Sequence, residues 1–239
     1  MQQRLVIDYV SDIACAWCVV GLYSLERALA AFPGVTAEFR FHPYELDPTV
    51  GPEGANLIDH IVEKYEVSAE EVAGSLKTLT DRGAEVGFTF TFTPQTRIWN
   101  TFAAHRLLHW AGVTDRAAGE AAMEGAGQAA VTPHAPALEK ALYAAYFTEN
   151  SNVADFSVLS AAAEGVGLDR REALRVLESG LYAEEVRAEL ALWREHGVNV
   201  VPTIRLNDRM TIASAQTVSG YERSLRALFE GASVAGMTL

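Results

Sequence analysis

"IACAWCVV" (residues 13–20) sets Cys15 and Cys18 three positions apart, and they are the only cysteines in 239 residues. Upstream, Leu5 to Val10 is a short apolar run broken only by Asp8, which reads as a strand. Downstream, "CVVGLYSLERALAAF" (18–32) places Val19, Leu22, Leu25 and Leu29 at helical spacing until Pro33 and Gly34 stop it. "VTAEFRFHPYEL" (35–46) then alternates Val35, Ala37, Phe39 and Phe41 as a strand does. Strand, helix and strand at this length predict a parallel pair with a right-handed crossover.

That context gives the two cysteines unequal tasks. Residues i and i+3 on a helix lie about 5–6 Å apart at Cβ. A disulfide needs roughly 3.5–4.5 Å, so a small shift of the first turn closes one. If Cys15 opens the helix, unpaired N–H groups and the positive end of the dipole favour its thiolate. Cys18, one turn on, is less exposed. One thiol is set to attack and the other to resolve.

Competing readings are weaker. Half a zinc site needs two more ligands, and no further cysteine exists, so histidine would have to supply both. His105 and His109 stand four apart on a predicted helix, but Arg106 occupies the place of the HExxH glutamate, and a packing or surface role suits them better. No metal site is expected. Two cysteines acting only as small hydrophobes do not account for the strand–CxxC–helix setting of a redox motif.

A net charge of −12 argues against nucleic acid, which demands clustered Lys and Arg, and equally against an anionic membrane surface. With 49% hydrophobic and 21% charged residues the chain has an ordinary globular composition, and it holds no apolar stretch of about 18 residues for a membrane span. "MQQRLVIDYV" (1–10) has no basic region ahead of a long apolar core, so the expected compartment is the cytoplasm. In a reducing compartment a close cysteine pair points to catalysis, redox sensing or metal rather than a structural bridge.

From residue 50 the patterning turns helical, with helices predicted over 56–66, 68–86, 96–111, 115–128, 134–147, 155–165 and 169–179. Ser68 and Asp155 are the expected caps of two of them. "YAEEVRAELALWREHG" (182–197) is a further amphipathic helix closed by Gly197. Strand patterning returns in "VVPTIRLND" and "MTIASA", joined through Asn207–Asp208–Arg209 as a hairpin, before a last helix at 217–230. The expected sheet comprises strands near 5–10, 35–42, 202–207 and 210–214. The expected organisation is an α/β unit made of 1–49 and 181–239, split by an inserted all-helical domain at 50–180. "EGAGQ" (124–128) lacks the preceding strand of a phosphate loop. Trp99, Trp110 and the alternating Phe88, Phe90 and Phe92 suit a core more than a face above the cysteines. In "NVVPTI" (199–204), Pro202 heads a strand, where proline is tolerated, and proline is the usual residue for a cis bond.

With these parts together, the chain resembles the DsbA family, a thioredoxin-like fold with a large helical insertion. It is most similar to the FrnE-like branch, grouped with 2-hydroxychromene-2-carboxylate isomerases and kappa-class glutathione transferases. The matching stretches are "DYVSDIACAWC" (8–18), "NTFAAHRLLHWA" (100–111), "VNVVPTI" (198–204) and "SAQTVSGYERSLRALF" (214–229). The resemblance implies that Cys15 is the nucleophile, Cys18 the resolving thiol and Pro202 a cis-proline facing them. It implies that Val201 offers its backbone to an extended substrate, with Ala16 and Trp17 bordering it. Asp12, His42 and Asn100 are the expected outer residues of the site. The implied activity is thiol–disulfide exchange on protein or small-molecule thiols and disulfides, with no bound cofactor and glutathione as a candidate redox partner. A glutathione-dependent isomerase or transferase is the rival enzyme reading, but there serine commonly replaces the first cysteine. A peptide-binding, chaperone-like module is the third. Oligomeric state is open, with a homodimer among the options.

Three departures stand out. The branch usually has CPWC, and position 16 here is alanine. The buried acid that thioredoxin and DsbA carry six residues before the first cysteine is Tyr9, with Asp8 on the opposite strand face. Proton transfer to Cys18 then falls to water or to Asp12, which equally suits a loop or cap role. "SAQ" (214–216) replaces a more usual Gly-Ala-Gln, with a change expected at the edge of the last strand.

Overall fold

The computed structural model describes residues 3–124 and 133–230. β1 (Gln3–Ser11) leads through a buried loop into α1 (Ala16–Leu29), which returns the chain to β2 (Val35–Pro43). The register runs in parallel from Gln3 opposite Val35 to Ser11 opposite Pro43. Leu5, Ile7, Tyr9 and Val10 are wholly buried, so β1 is a central strand.

The insertion begins with β3 (Ala55–Asn56), α2 (Leu57–Tyr65) and α3 (Ala69–Val86). It continues with β4 (Arg97–Ile98), α4 (Phe102–Glu124) and α5 (His134–Tyr143). α5 widens into a π turn at Ala144–Thr148, and α6 (Phe156–Gly165) and α7 (Arg170–Glu178) follow. Ser68 forms a reciprocal capping box with Glu71, and Asp155 accepts from Ser157 N, as their sequence positions imply. α8 (Ala183–Glu195) leads back to the sheet, where β5 (Thr203–Leu206) and β6 (Met210–Ala213) form a hairpin before α9 (Val218–Phe229).

The four-stranded sheet has the order β2-β1-β5-β6, with β5 antiparallel to β1 and to β6. The hairpin turns on Asn207 and Asp208, both left-handed at φ 49° and 55°, with Arg209 N donating to Leu206 O at 2.9 Å. Asparagine and aspartate tolerate that conformation best among residues with a Cβ, and it suits the twist of the strands. The Asn207 side chain also accepts from Val6 N at 2.8 Å, pinning the turn to β1. β2 is an edge strand, and α4, α5 and α8 all pack on it, so these helices cover an edge that would otherwise be open to pairing.

The sequence-based outline needs three corrections. The helices expected at 96–111 and 115–128 are one helix, α4. Gly112 is tolerated in its interior, and Asp115 caps a different helix: its carboxylate accepts from His134 N and Ala135 N, both at 2.8 Å, at the start of α5. Residues before 102 are excluded from α4 because Asn100 turns its side chain onto Phe102 N at 3.0 Å. The insertion also holds one small ribbon, β3 paired with β4, separate from the main sheet. Finally, 134–147 is an α-helix that ends in the π turn. The end of the 115–128 segment, and "EGAGQ" beyond Glu124, lie outside the described residues.

Candidate active site

Cys15 is the N-cap of α1, at φ −94° and ψ 103°, with no side-chain capping bond. Its thiol therefore stands at the free N-terminal end of the helix, 6% exposed. Cys18 is fully buried one turn on, its N–H donating to Cys15 O at 3.0 Å. Both thiols are free. Cys15 Sγ donates to Val201 O at 3.7 Å, across 186 residues of sequence. The Val201–Pro202 peptide is cis. Pro202 packs on the same helix: a Cβ placed on Gly21 would lie 3.0 Å from Pro202 Cγ and 3.0 Å from Tyr9 Oη. The structure thus brings together Cys15, Cys18, Val201 and Pro202.

Burial pushes the Cys18 thiol well above the usual cysteine value, reinforced by Cys15 and by the charge of Asp12, while hydrogen bonding to the Asp12 backbone opposes it. Tyr9 stands where related folds have an acid. Its hydroxyl donates to Cys18 O at 2.6 Å, and burial raises its pKa so that it stays a neutral donor. Asp8 points the other way, toward His42 Nε2 at 2.9 Å.

Of the outer residues, Asp12 is at the site. It is 1% exposed, its backbone oxygen accepts from Cys15 N at 3.0 Å, and its carboxylate accepts from Leu46 N at 2.7 Å and Ala14 N at 3.3 Å. His42 makes its contacts elsewhere, between Asp8 and Glu189 and tilted against Trp193. Asn100 caps α4 and donates to Val50 O at 3.4 Å. Ala16 is the first residue of α1, a position that proline also suits. Trp17 is 43% exposed between the cysteines. Two more exposed apolar side chains adjoin the site through their backbones: Val200 beside Val201, and Leu46 bonded to Asp12. No spacing signal in the sequence marks Leu46.

His105 and His109 go to separate partners. His105 Nε2 lies 2.9 Å from Tyr44 O and 3.4 Å from Asp12 Oδ1, whereas His109 Nδ1 lies 3.3 Å from Glu189 Oε1. A small pocket at the β2 edge is lined by Ser11, His42, His105, His109, Glu139 and Glu189 together with the apolar Phe41, Pro43 and Leu108. Glu139, from α5, is wholly buried and bonded to Ser11 Oγ at 2.8 Å. Phe88 and Phe90 are core residues, packed on each other and on Tyr23 and Phe147. Among the described residues no helix is long and apolar enough to cross a membrane.

Comparison with known proteins agrees with this geometry. A DsbA oxidoreductase described as probable, from Streptomyces coelicolor, superposes with a TM-score of 0.81 at 28% identity, covering 98% of this chain and 94% of its own. A cytosolic disulfide reductase, DsbM, from Pseudomonas aeruginosa shares the fold at a TM-score of 0.61 and 14% identity, over 95% of this chain and all of its own. A 2-hydroxychromene-2-carboxylate isomerase shares it at 0.61 and 15%, over 97% of this chain and all of its own. The Bacillus subtilis protein YwbO is 24% identical over 211 residues, 87% of this chain and 90% of its own. The DSBA-like thioredoxin domain model matches residues 6–226, almost the whole span from β1 to the end of α9, and the chain belongs to that family.

Proposed function

We propose that this protein is a thiol–disulfide oxidoreductase of the FrnE-like kind, with Cys15 as nucleophile and Cys18 as resolving thiol. The observation that carries the reading is the position of Cys15 Sγ, at the uncapped start of α1 and against the Val201 carbonyl. A helix N-terminus favours the attacking thiolate, and an adjacent backbone edge suits an extended substrate. The Cys15 thiolate attacks one sulfur of a substrate disulfide, forming a mixed disulfide and releasing the other sulfur as a thiolate. The Cys18 thiolate then attacks Cys15 Sγ, releasing the second substrate thiolate and leaving a Cys15–Cys18 disulfide. Two electrons pass to the substrate, and Cys18 gives up its proton before its attack. Glutathione, or another small thiol, returns the pair to the dithiol, and a reducing cytoplasm suits that cycle.

Insulin reduction tests the reading. Wild type accelerates it, Cys15→Ser abolishes the acceleration, and Cys18→Ser accumulates mixed disulfides on non-reducing gels. Full activity in Cys15→Ser would assign the chemistry to a glutathione thiol instead. A wild type without activity, together with no trapping in Cys18→Ser, would leave peptide binding as the function.

A further inference from the structure

The loop carrying the nucleophile hangs on one buried carboxylate. Asp12 lies three residues before Cys15, and its backbone oxygen accepts from Cys15 N at 3.0 Å. Its carboxylate ties two segments to that loop: Leu46 N, just past β2, and His105 Nε2, from α4 of the insertion. His105 is 4% exposed, and the same nitrogen lies 2.9 Å from Tyr44 O. Between acceptors on both sides, Nε2 must carry its hydrogen. The charge of Asp12 is also one of the influences that holds Cys18 in its thiol form. A positive ring against that carboxylate offsets it, and a neutral ring does so only in part.

We propose that His105 is a positioning residue for the cysteine pair: through Asp12 it anchors the Cys15 loop to the helical insertion and offsets the charge of the carboxylate that holds that loop. The inference rests on the redox reading above. Its consequence is that the insertion takes part in the chemistry through a hydrogen-bonded contact as well as by covering the sheet.

The groups facing His105 decide its charge. Asp12 comes from the β1–α1 loop, Glu139 from α5 and Glu45 from the segment after β2, where Arg187 and Arg194 of α8 act on Glu45 in turn. Burial works to lower the His105 pKa, but the three carboxyl groups outweigh it and hold the ring above the usual histidine value. The ring therefore keeps its charge to higher pH than an ordinary histidine, and loses it as pH rises.

The test separates the anchor from the charge. Closure of the Cys15–Cys18 disulfide from a preformed mixed disulfide with glutathione is followed across pH in wild type, His105→Gln and His105→Leu. Glutamine keeps an N–H for Asp12 without the charge, so closure slows about fivefold at the pH values where the wild-type ring is protonated, the scale of one partly screened buried charge, and approaches wild type in alkali. Leucine removes both and slows closure further, at every pH. Identical pH profiles for wild type and both variants would overturn the proposal while leaving the redox reading intact. A wild type that fails to form or resolve the mixed disulfide would overturn both. Should the variants fail to fold, ring titration of His105 in wild type is followed by NMR in the dithiol and disulfide states. Coupling is reciprocal, so the ring must titrate at different pH in the two states, and coincident curves would refute the proposal.

Discussion

Ser214 occupies a backbone position that glycine would fill with less strain. Its φ is 67°, in the left-handed region, and its N–H donates to Pro202 O at 2.9 Å, so the hairpin requires that conformation. A residue with a Cβ is destabilised there by roughly 1–2 kcal/mol, offset in part by the extra unfolded-state freedom of glycine. Ser214→Gly is therefore expected to stabilise the fold by about 0.5 kcal/mol, read as a higher denaturant midpoint with no change of slope. A lower midpoint would show that the serine side chain contributes more than its strain costs. The departure of "SAQ" from the Gly-Ala-Gln that the resemblance implies therefore acts on backbone strain where β6 ends, and the strand pairing itself is intact.

At the scale of the element, α1 is both the carrier of the thiols and the floor under Pro202. Gly21 makes that close approach possible, since an added Cβ would meet Pro202 Cγ and Tyr9 Oη at 3.0 Å and Tyr221 Oη at 3.3 Å. Gly21→Ala gains about 1 kcal/mol of helix propensity and incurs about 1–2 kcal/mol of overpacking. Its stability should thus fall within about 1 kcal/mol of wild type, while turnover in the insulin assay drops because the Val201–Pro202 segment is displaced from Cys15. Unchanged turnover would mean that Pro202 yields without moving the Val201 carbonyl. The elements themselves were legible where one signal dominated: the βαβ opening, the hairpin and the caps at Ser68 and Asp155 all follow from local chemistry. The break expected between 111 and 115 is absent because Gly112 is tolerated inside α4, and Asp115 serves α5 through contacts that sequence spacing does not show. The two-residue β3–β4 ribbon left no periodicity to find. At the site, Cys15, Cys18 and Pro202 announce themselves by type and setting, whereas His105 and Leu46 reach it only through the docking of α4 and of the turn after β2, which spacing along one chain does not encode.

For the whole molecule, the helices are fastened to the sheet by ionisable contacts, and this makes stability depend on pH. Burial works to lower the His42 pKa, but Asp8 and Glu189 outweigh it and hold it above the histidine value of 6.5. His105 is raised in the same way. A raised histidine adds stability in full below its unfolded value and loses it as pH rises through its folded one. Glu139, raised by burial, weakens the fold in the same direction, starting from its unfolded value near 4.5. Glu189 resists burial through His109 and His42, is held down to about 2, and loses its contribution only as pH falls through the acid range. Unfolding midpoints should therefore be highest in mildly acid solution and decline toward alkaline pH, with His42→Gln flattening the alkaline side. A midpoint that rises from pH 6.5 upward would contradict this account of how the two parts are joined.

The 186-residue separation of Cys15 and Val201 also sets an order of events during synthesis. At about 5–20 residues per second, a ribosome takes roughly 10–40 s to travel from one to the other. For most of that interval β1, α1 and β2 have been made, yet the carbonyl that covers the first thiol has not. The newborn chain thus carries an unshielded cysteine at the head of its first helix, open to capture by any small disulfide nearby. Only the arrival of the last quarter of the polypeptide turns an exposed thiol into a guarded one.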